Sequence, residues 1–276
     1  MLITPAFGII TLLFFYPLMF NVWLSFQKPI FGTTEYFFVG IENYFNVFSD
    51  SLFWRGLING IIFTSSSIVL QLIFGLGLAL SLNQHIRGRS IARTLAIIPW
   101  AVPVIATSFI WQWMYYSDGV LNYILESLRL IQSRFPWLSN MNTAMAAVVL
   151  TSVWRLYPFV FVTLLAGLQQ IPPELYEVVD VDGGGAWVKF RHVTLPCLRE
   201  VILIVIILRV LWTFTWFDLI YLLTGGGPAN ATIVLPVMVY QRAFLGSAPG
   251  LAATISTIIM LVLISMAYLY FRLRRD

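Results

Sequence analysis

The chain has 276 residues, 59% of them hydrophobic and only 10% charged, with a formal net charge of +4. A soluble globular domain is about one quarter charged, so this chain has too few charged groups to solvate a surface of its size, and lipid must cover much of it. Basic residues that fall mostly in short segments between apolar runs argue against a nucleic-acid-binding stripe, the single cysteine Cys197 excludes an internal disulfide, and two distant histidines, His85 and His192, give no metal site.

A bilayer core takes about 20 mostly apolar residues per helix, and six segments qualify: roughly 2–26, 57–82, 95–116, 143–168, 200–223 and 250–271. The first is too long for a secretory signal and lacks a basic leader and cleavage site, so it reads as a retained helix. Segment 34–56, which follows it, is rich in the aromatic residues that favour the membrane–water interface. Segments 83–94, 169–199 and 272–276 hold Arg87, Arg89, Arg93, Lys189, Arg191, Arg199, Arg272, Arg274 and Arg275, against Lys28, Arg55, Arg129, Arg134 and Arg242 in the other loops. The richer side should be cytoplasmic, which puts both chain ends there. Segment 118–141 includes VLNYILESLRLI, with Leu121, Ile124, Leu125 and Leu128 at helical spacing. It is either an interfacial helix that packs or a surface for an outside partner. With no short repeat or low-complexity linker, residues 1–276 read as a single transmembrane domain.

The fourth span carries Arg155, and the loop after it, about 169–199, is the most informative stretch. Pro172 and Pro173 suit a helix start, Glu174 and Glu177 favour its first turns, and Gly183, Gly184 and Gly185 bend the chain. A second short helix is expected from about Trp187 to Thr194, stopped by Pro196. Such a helix–bend–helix is too polar to insert, yet Leu175, Val178, Val179, Trp187 and Phe190 make it too apolar to stay bare. It packs on its own chain or on another protein. In the fifth span Arg209, Trp212, Thr213 and Trp216 fall at i, i+3, i+4 and i+7 and share a helical face, with Asp218 off that stripe near the span's outer end. Intramembrane charges cost about 2.5–3.5 kcal/mol each at a helix centre, so Arg155, Arg209 and Asp218 should face the bundle interior or a watery cavity. Arg209 either lines a path or serves structurally, snorkelling or pairing with a carboxylate.

The loop residues Glu177-Val178-Val179, Asp182-Gly183 and Val193-Thr194-Leu195-Pro196 resemble the membrane subunits of binding-protein-dependent ABC importers. That family commonly has alanines where Val178, Val179 and Gly184 stand. Pro173-Glu174-Leu175-Tyr176, Trp187, Phe190 and Arg191 are similar to the carbohydrate-uptake branch. The segment from Phe38 to Tyr44, Pro99-Trp100-Ala101-Val102-Pro103 and Thr224-Gly225-Gly226-Gly227-Pro228 extend the likeness over nearly the whole chain. Within that branch it resembles the larger-type partner of a maltose-transporter-like permease pair.

The resemblance implies an all-α integral membrane protein with six transmembrane helices and a cytoplasmic coupling helix, the type I ABC importer permease fold. It implies an ATPase-coupling surface at Glu174, Glu177, Val178, Val179, Asp182, Gly183, Leu195 and Pro196. It places Arg155, Phe159, Trp212, Thr213, Trp216 and Asp218 along a substrate path, to which the shared helical face adds Arg209. The implied partners are a second homologous permease, two ATPase subunits, an extracytoplasmic solute-binding protein, membrane lipid and a sugar-like solute, in a bacterial or archaeal inner membrane. No cofactor is expected on this chain. Its only lysines, Lys28 and Lys189, lie outside any phosphate-binding GxxxxGK[ST] loop, so ATP and Mg would be held by the ATPase partners. A sugar-phosphate or glycerol-phosphate solute stays open, since Arg155 or Arg209 suits an anion. A secondary transporter would need an ion-coupling acid deep in the membrane, and an enzyme a nucleophile–base set; neither appears in the sequence.

Overall fold

The computed structural model describes residues 8–30 and 35–273; the start of the expected first span, and Arg274 and Arg275 from the basic count, lie outside the described residues. A π-helical turn, Thr11–Phe15, leads into α1 (Tyr16–Leu24), followed by strands β1 (Gln27–Pro29) and β2 (Tyr36–Phe38). Next come α2 (Glu42–Ser49), α3 (Ser51–Asn83), α4 (Arg89–Ala101), α5 (Val104–Tyr115), α6 (Val120–Ser127) and α7 (Ala144–Leu168). The loop elements α8 (Glu174–Val181), α9 (Ala186–Lys189) and a second π-helical turn, Phe190–Thr194, precede α10 (Leu195–Phe214). The chain ends with α11 (Asp218–Thr224), α12 (Leu235–Tyr240), a third π-helical turn, Gln241–Leu245, and α13 (Pro249–Leu273).

Among the described residues, α3, α7 and α13 are each long and apolar enough to cross a bilayer alone. The expected third span, 95–116, is instead α4 and α5 meeting at 95°. Pro103 has no N–H to donate, and the residue before it, Val102, takes extended backbone (φ −71°, ψ 127°), which ends α4. The expected first span appears as an apolar helix, Gly8–Leu24, and the expected fifth as α10 and α11 separated at residues 215–217. The run Thr213-Phe214-Thr215-Trp216-Phe217 is all β-branched and aromatic, which weakens a helix. Six unbroken spans are therefore not what the described residues form.

The residues group into two compact units, Met1–Ile61 with Thr215–Asp276, and Ile62–Phe214. In the first, α13 packs on α1, α2, β1 and α12. Carbonyls exposed where α1 ends would be costly in lipid. Asn43 of α2 donates to Ser25 O and Gln27 O, each at 2.9 Å, and Thr254 of α13 donates to Ser25 O at 3.1 Å. Gly250 allows that approach, because a Cβ there would sit 2.0 Å from Gln27 O. Asp50 caps α3 by accepting from Leu52 N–H at 2.9 Å, and it also pairs with Arg242 at 2.6 Å.

In the second unit α7 is the axis, packing on α4, α5 and α10. Phe161, Leu164 and Leu168 of α7 meet Ala79 and Leu82 of α3, Ala96 of α4, and Leu198 and Val205 of α10. Small residues let the backbones close up: a Cβ on Gly75 would lie 2.8 Å from Val160 Cγ1, and one on Gly167 2.8 Å from Leu198 Cδ2. In α6 the apolar stripe is half-covered: Leu121 and Leu125 are half-buried, Ile124 and Leu128 are exposed, and Asn122 is sealed. The surrounding loop explains the burial of Asn122. Asn122 Nδ2 donates to Tyr116 O, Ser117 O and Phe135 O, and its Oδ1 accepts from Phe135 N–H and Trp137 Nε1–H, satisfying backbone that forms no regular element. Arg134 pairs with Asp118 and Glu126 in the same cap.

Candidate coupling surface and solute path

Helix α8 starts behind Pro173 with Glu174 and Glu177 in its first turn, as the sequence implies. It ends in a two-bond C-cap: Gly184 N–H donates to Val179 O at 2.8 Å, and Gly183 N–H donates to Asp180 O at 3.0 Å. Gly183 carries a φ of +75°, where an L side chain is strained. Gly184 answers a different need. A Cβ there would come within 2.4 Å of Val179 Cγ1 and 3.0 Å of Val179 O. The bulky Val179 and the small Gly184 are thus two halves of one packing arrangement. Lys189 bridges the bend to Asp180 at 2.5 Å, and the Tyr176 hydroxyl meets Thr194 Oγ1 at 3.1 Å.

Pro196 does not stop the second arm. The chain runs from α9 through Phe190–Thr194 and on into α10. The wide π turn and the missing N–H at the second residue of α10 fall together, so the proline sits where a helix tolerates it. Val193 and Thr194 are buried and anchor the turn, while Leu195, Pro196, Glu174, Glu177 and Asp182 are exposed. Outward from the bend stand Val178 (60% exposed), Val181 (89%) and Trp187 (69%). A cluster of this kind marks a contact surface.

Of the seven expected path residues, Arg155, Phe159, Arg209, Trp212 and Thr213 lie in the second unit, and Trp216 and Asp218 in the first. Within the second unit Phe159 lies between two indoles and meets both at a steep angle, 6.0 Å and 62° from Trp100 and 5.2 Å and 60° from Trp212. Trp212 is 52% exposed, whereas Arg209 is 2% and Thr213 1% exposed. The shared face therefore splits, and Trp216 leaves it altogether because α10 ends at Phe214. Asp218 is exposed at the first residue of α11.

Among the described residues Arg209 has no ion pair with a carboxylate; neutral groups hold it. Its Nε donates to Gln71 Oε1 at 2.8 Å and its Nη2 to Thr213 Oγ1 at 2.9 Å. Gln71 in turn donates to Ser152 Oγ at 3.4 Å, so one amide ties α3, α7 and α10 together. Arg155 is near enough for the two positive charges to act on each other. Gln71 is not among the residues the sequence singles out above, although a lone amide in the apolar run SSSIVLQLIF is the available signal.

Residues 71–275 match the family described as binding-protein-dependent transport system inner membrane component. The chain is 36% identical over 280 residues to the trehalose/maltose transport system permease protein MalF of Thermococcus litoralis, covering 100% of this chain and 94% of that one. It is 34% identical to the sulfoquinovosyl glycerol transport system permease protein SmoG of Agrobacterium fabrum, covering 98% and 88%. Its fold matches a chain in the crystal structure of a bacterial ABC transporter involved in the import of the acidic polysaccharide alginate, with a TM-score of 0.86, 20% identity, and coverage of 99% and 93%. The fold is that of the type I ABC importer permeases, and the relatives are transporter subunits rather than enzymes. This chain belongs to the binding-protein-dependent transport system inner membrane components.

Proposed function

We propose that the chain is half of the translocation path of an ATP-driven importer for a sugar-like solute, acting as one permease domain beside a second, homologous permease. The observation that carries this reading is the bent, apolar-faced loop with Gly183 at φ +75° and Val178, Val181 and Trp187 exposed. In this reading two ATPase subunits, which hold ATP and Mg, grip the loop from the cytoplasm. Glu174, Glu177 and Asp182 meet them with charge, Val178 with apolar surface, and Leu195 and Pro196 carry the motion into α10. The loop sits on the basic side of the membrane, with both chain ends, and a solute-binding protein delivers cargo from the other side. The names of the relatives support a sugar: trehalose and maltose for one, sulfoquinovosyl glycerol for another. Phe159 and Trp212 offer aromatic surface to such a solute, Arg155, Trp216 and Asp218 are the other path residues of this reading, and Arg209 and Thr213 hold α10 in place.

A second reading, an anionic sugar, is favoured by one observation: the buried Arg209 is hydrogen-bonded to neutral groups. Purification in mild detergent tests the central claim. A Walker-type ATPase and a second permease should co-purify with this chain, and an intact assembly without an ATPase overturns it.

The Val179–Gly184 packing gives a finer check on the loop. Valine is stiff in a helix, and overpacking costs about 1–3 kcal/mol. Gly184→Ala should lower solute-stimulated ATP hydrolysis severalfold, Val179→Ala alone should do little, and Val179→Ala with Gly184→Ala should recover to within about twofold. ATPase assays of the three variants in lipid decide it, and an unrescued double variant refutes the pairing.

A further inference from the structure

We propose that Phe217, Tyr221, Tyr240 and Phe244 form an outer-face stacking site for a pyranose ring, a site separate from the path residues of α7 and α10. The inference rests on the importer reading above for its direction of traffic. The four rings lie in one compact unit and make a continuous series. Phe217 is 5.0 Å from Tyr221 with an interplanar angle of 23°, and 5.0 Å from Tyr240. Tyr221 and Tyr240 meet edge to face at 4.8 Å, and Tyr240 reaches Phe244 at 5.2 Å.

This cluster differs from the aromatic core of the same unit. Phe53 is 1% exposed, whereas Phe217, Tyr221 and Tyr240 are only half-buried and Phe244 is 74% exposed. Two of the rings in edge-to-face contact, Tyr221 and Tyr240, carry hydroxyls. Phenol groups so placed need polar company. Asp218 lies one turn before Tyr221 on α11 and is exposed, and Gln241, next to Tyr240, is held by a bond from its Nε2 to Gly225 O at 3.1 Å. The neighbouring cation, Arg242, is turned to Asp50. Ring faces, phenol hydroxyls and a carboxylate, with the nearby cation engaged elsewhere, match a neutral polyhydroxylated ring: its C–H face lies on the aromatics and its hydroxyls bond to oxygen groups. An anion is disfavoured by the same inventory. The series begins at Phe217, the last residue of the break in the expected fifth span.

The test is saturation-transfer difference NMR on the purified complex in lipid nanodiscs, with maltose and trehalose as separate probes at millimolar concentration. Saturation should pass to ring C–H protons of at least one probe. Phe244→Leu, which keeps the apolar bulk and loses the ring, should reduce it at least fivefold, while Phe244→Trp keeps it and Tyr221→Phe with Tyr240→Phe weakens it at least threefold. Basal ATP hydrolysis should be the same in all variants. No transfer from either sugar, or transfer that survives Phe244→Leu, overturns the site. A complex with no ATPase activity at all points instead to failure of the importer reading.

Discussion

Gly183→Pro should abolish solute-stimulated ATP hydrolysis in the assembled transporter while leaving the chain in the membrane. Proline fixes φ near −65°, and Gly183 stands at +75°, so the substituted loop cannot keep its bend. The change also removes the N–H that donates to Asp180 O, one of the two bonds closing α8. Gly183→Ala keeps that bond and pays only the left-handed strain, about 1–2 kcal/mol, so it should retain a measurable fraction of the coupling. Glu177→Lys leaves the backbone untouched and reverses a charge on the exposed face of α8; it too should uncouple hydrolysis from solute. Membrane fractionation followed by ATPase assay in proteoliposomes distinguishes these outcomes. Full coupling in both Gly183→Pro and Glu177→Lys would remove the loop from the mechanism.

The coupling loop was legible because its determinants are local. Pro173, the acids of the first turn and Gly183 each restrict the backbone where they stand, and the structure has the helix, the bend and the positive φ at those places. Pro196 was misread for the complementary reason: a proline is tolerated or not according to the turn before it, and the π-helical segment Phe190–Thr194 has no simple sequence signature. The break in the third span was visible in Pro103, yet hydropathy summed over a window is blind to one missing N–H. In α6 the amphipathic pattern left the burial of Asn122 unseen, because the demand there came from loop carbonyls outside the helix, which its amide satisfies. The cluster of Phe217, Tyr221, Tyr240 and Phe244 as a whole was out of reach for another reason. Phe217 and Tyr221, and likewise Tyr240 and Phe244, stand four residues apart, so each pair was legible, but nothing in the sequence announces that the two pairs meet.

Arg209 is the position at which sequence reading held two alternatives, a path residue or a structural one, and a paired replacement separates them. Arg209→Leu should destabilise the complex, because Gln71 Oε1, fully buried, loses its donor at 2.8 Å. A buried polar atom left without a partner costs about 1–3 kcal/mol, which should appear as a fall of several degrees in thermal stability in detergent and a loss of most uptake. Replacing both partners by apolar groups removes the orphan, and such exchanges are often neutral. Gln71→Leu with Arg209→Leu should therefore regain thermal stability. If Arg209 acts as a clamp that holds α10, and with it the exposed Trp212, uptake should return to within about threefold of the unaltered protein. Stability regained with uptake still lost would mean that the guanidinium itself meets the solute, and an anionic cargo would then follow from its charge. Thermal denaturation and uptake measured on the same reconstituted preparations keep the two readouts comparable. The expected result is recovery of both, because Arg209 is 2% exposed and its bonds to Gln71 and Thr213 already occupy it.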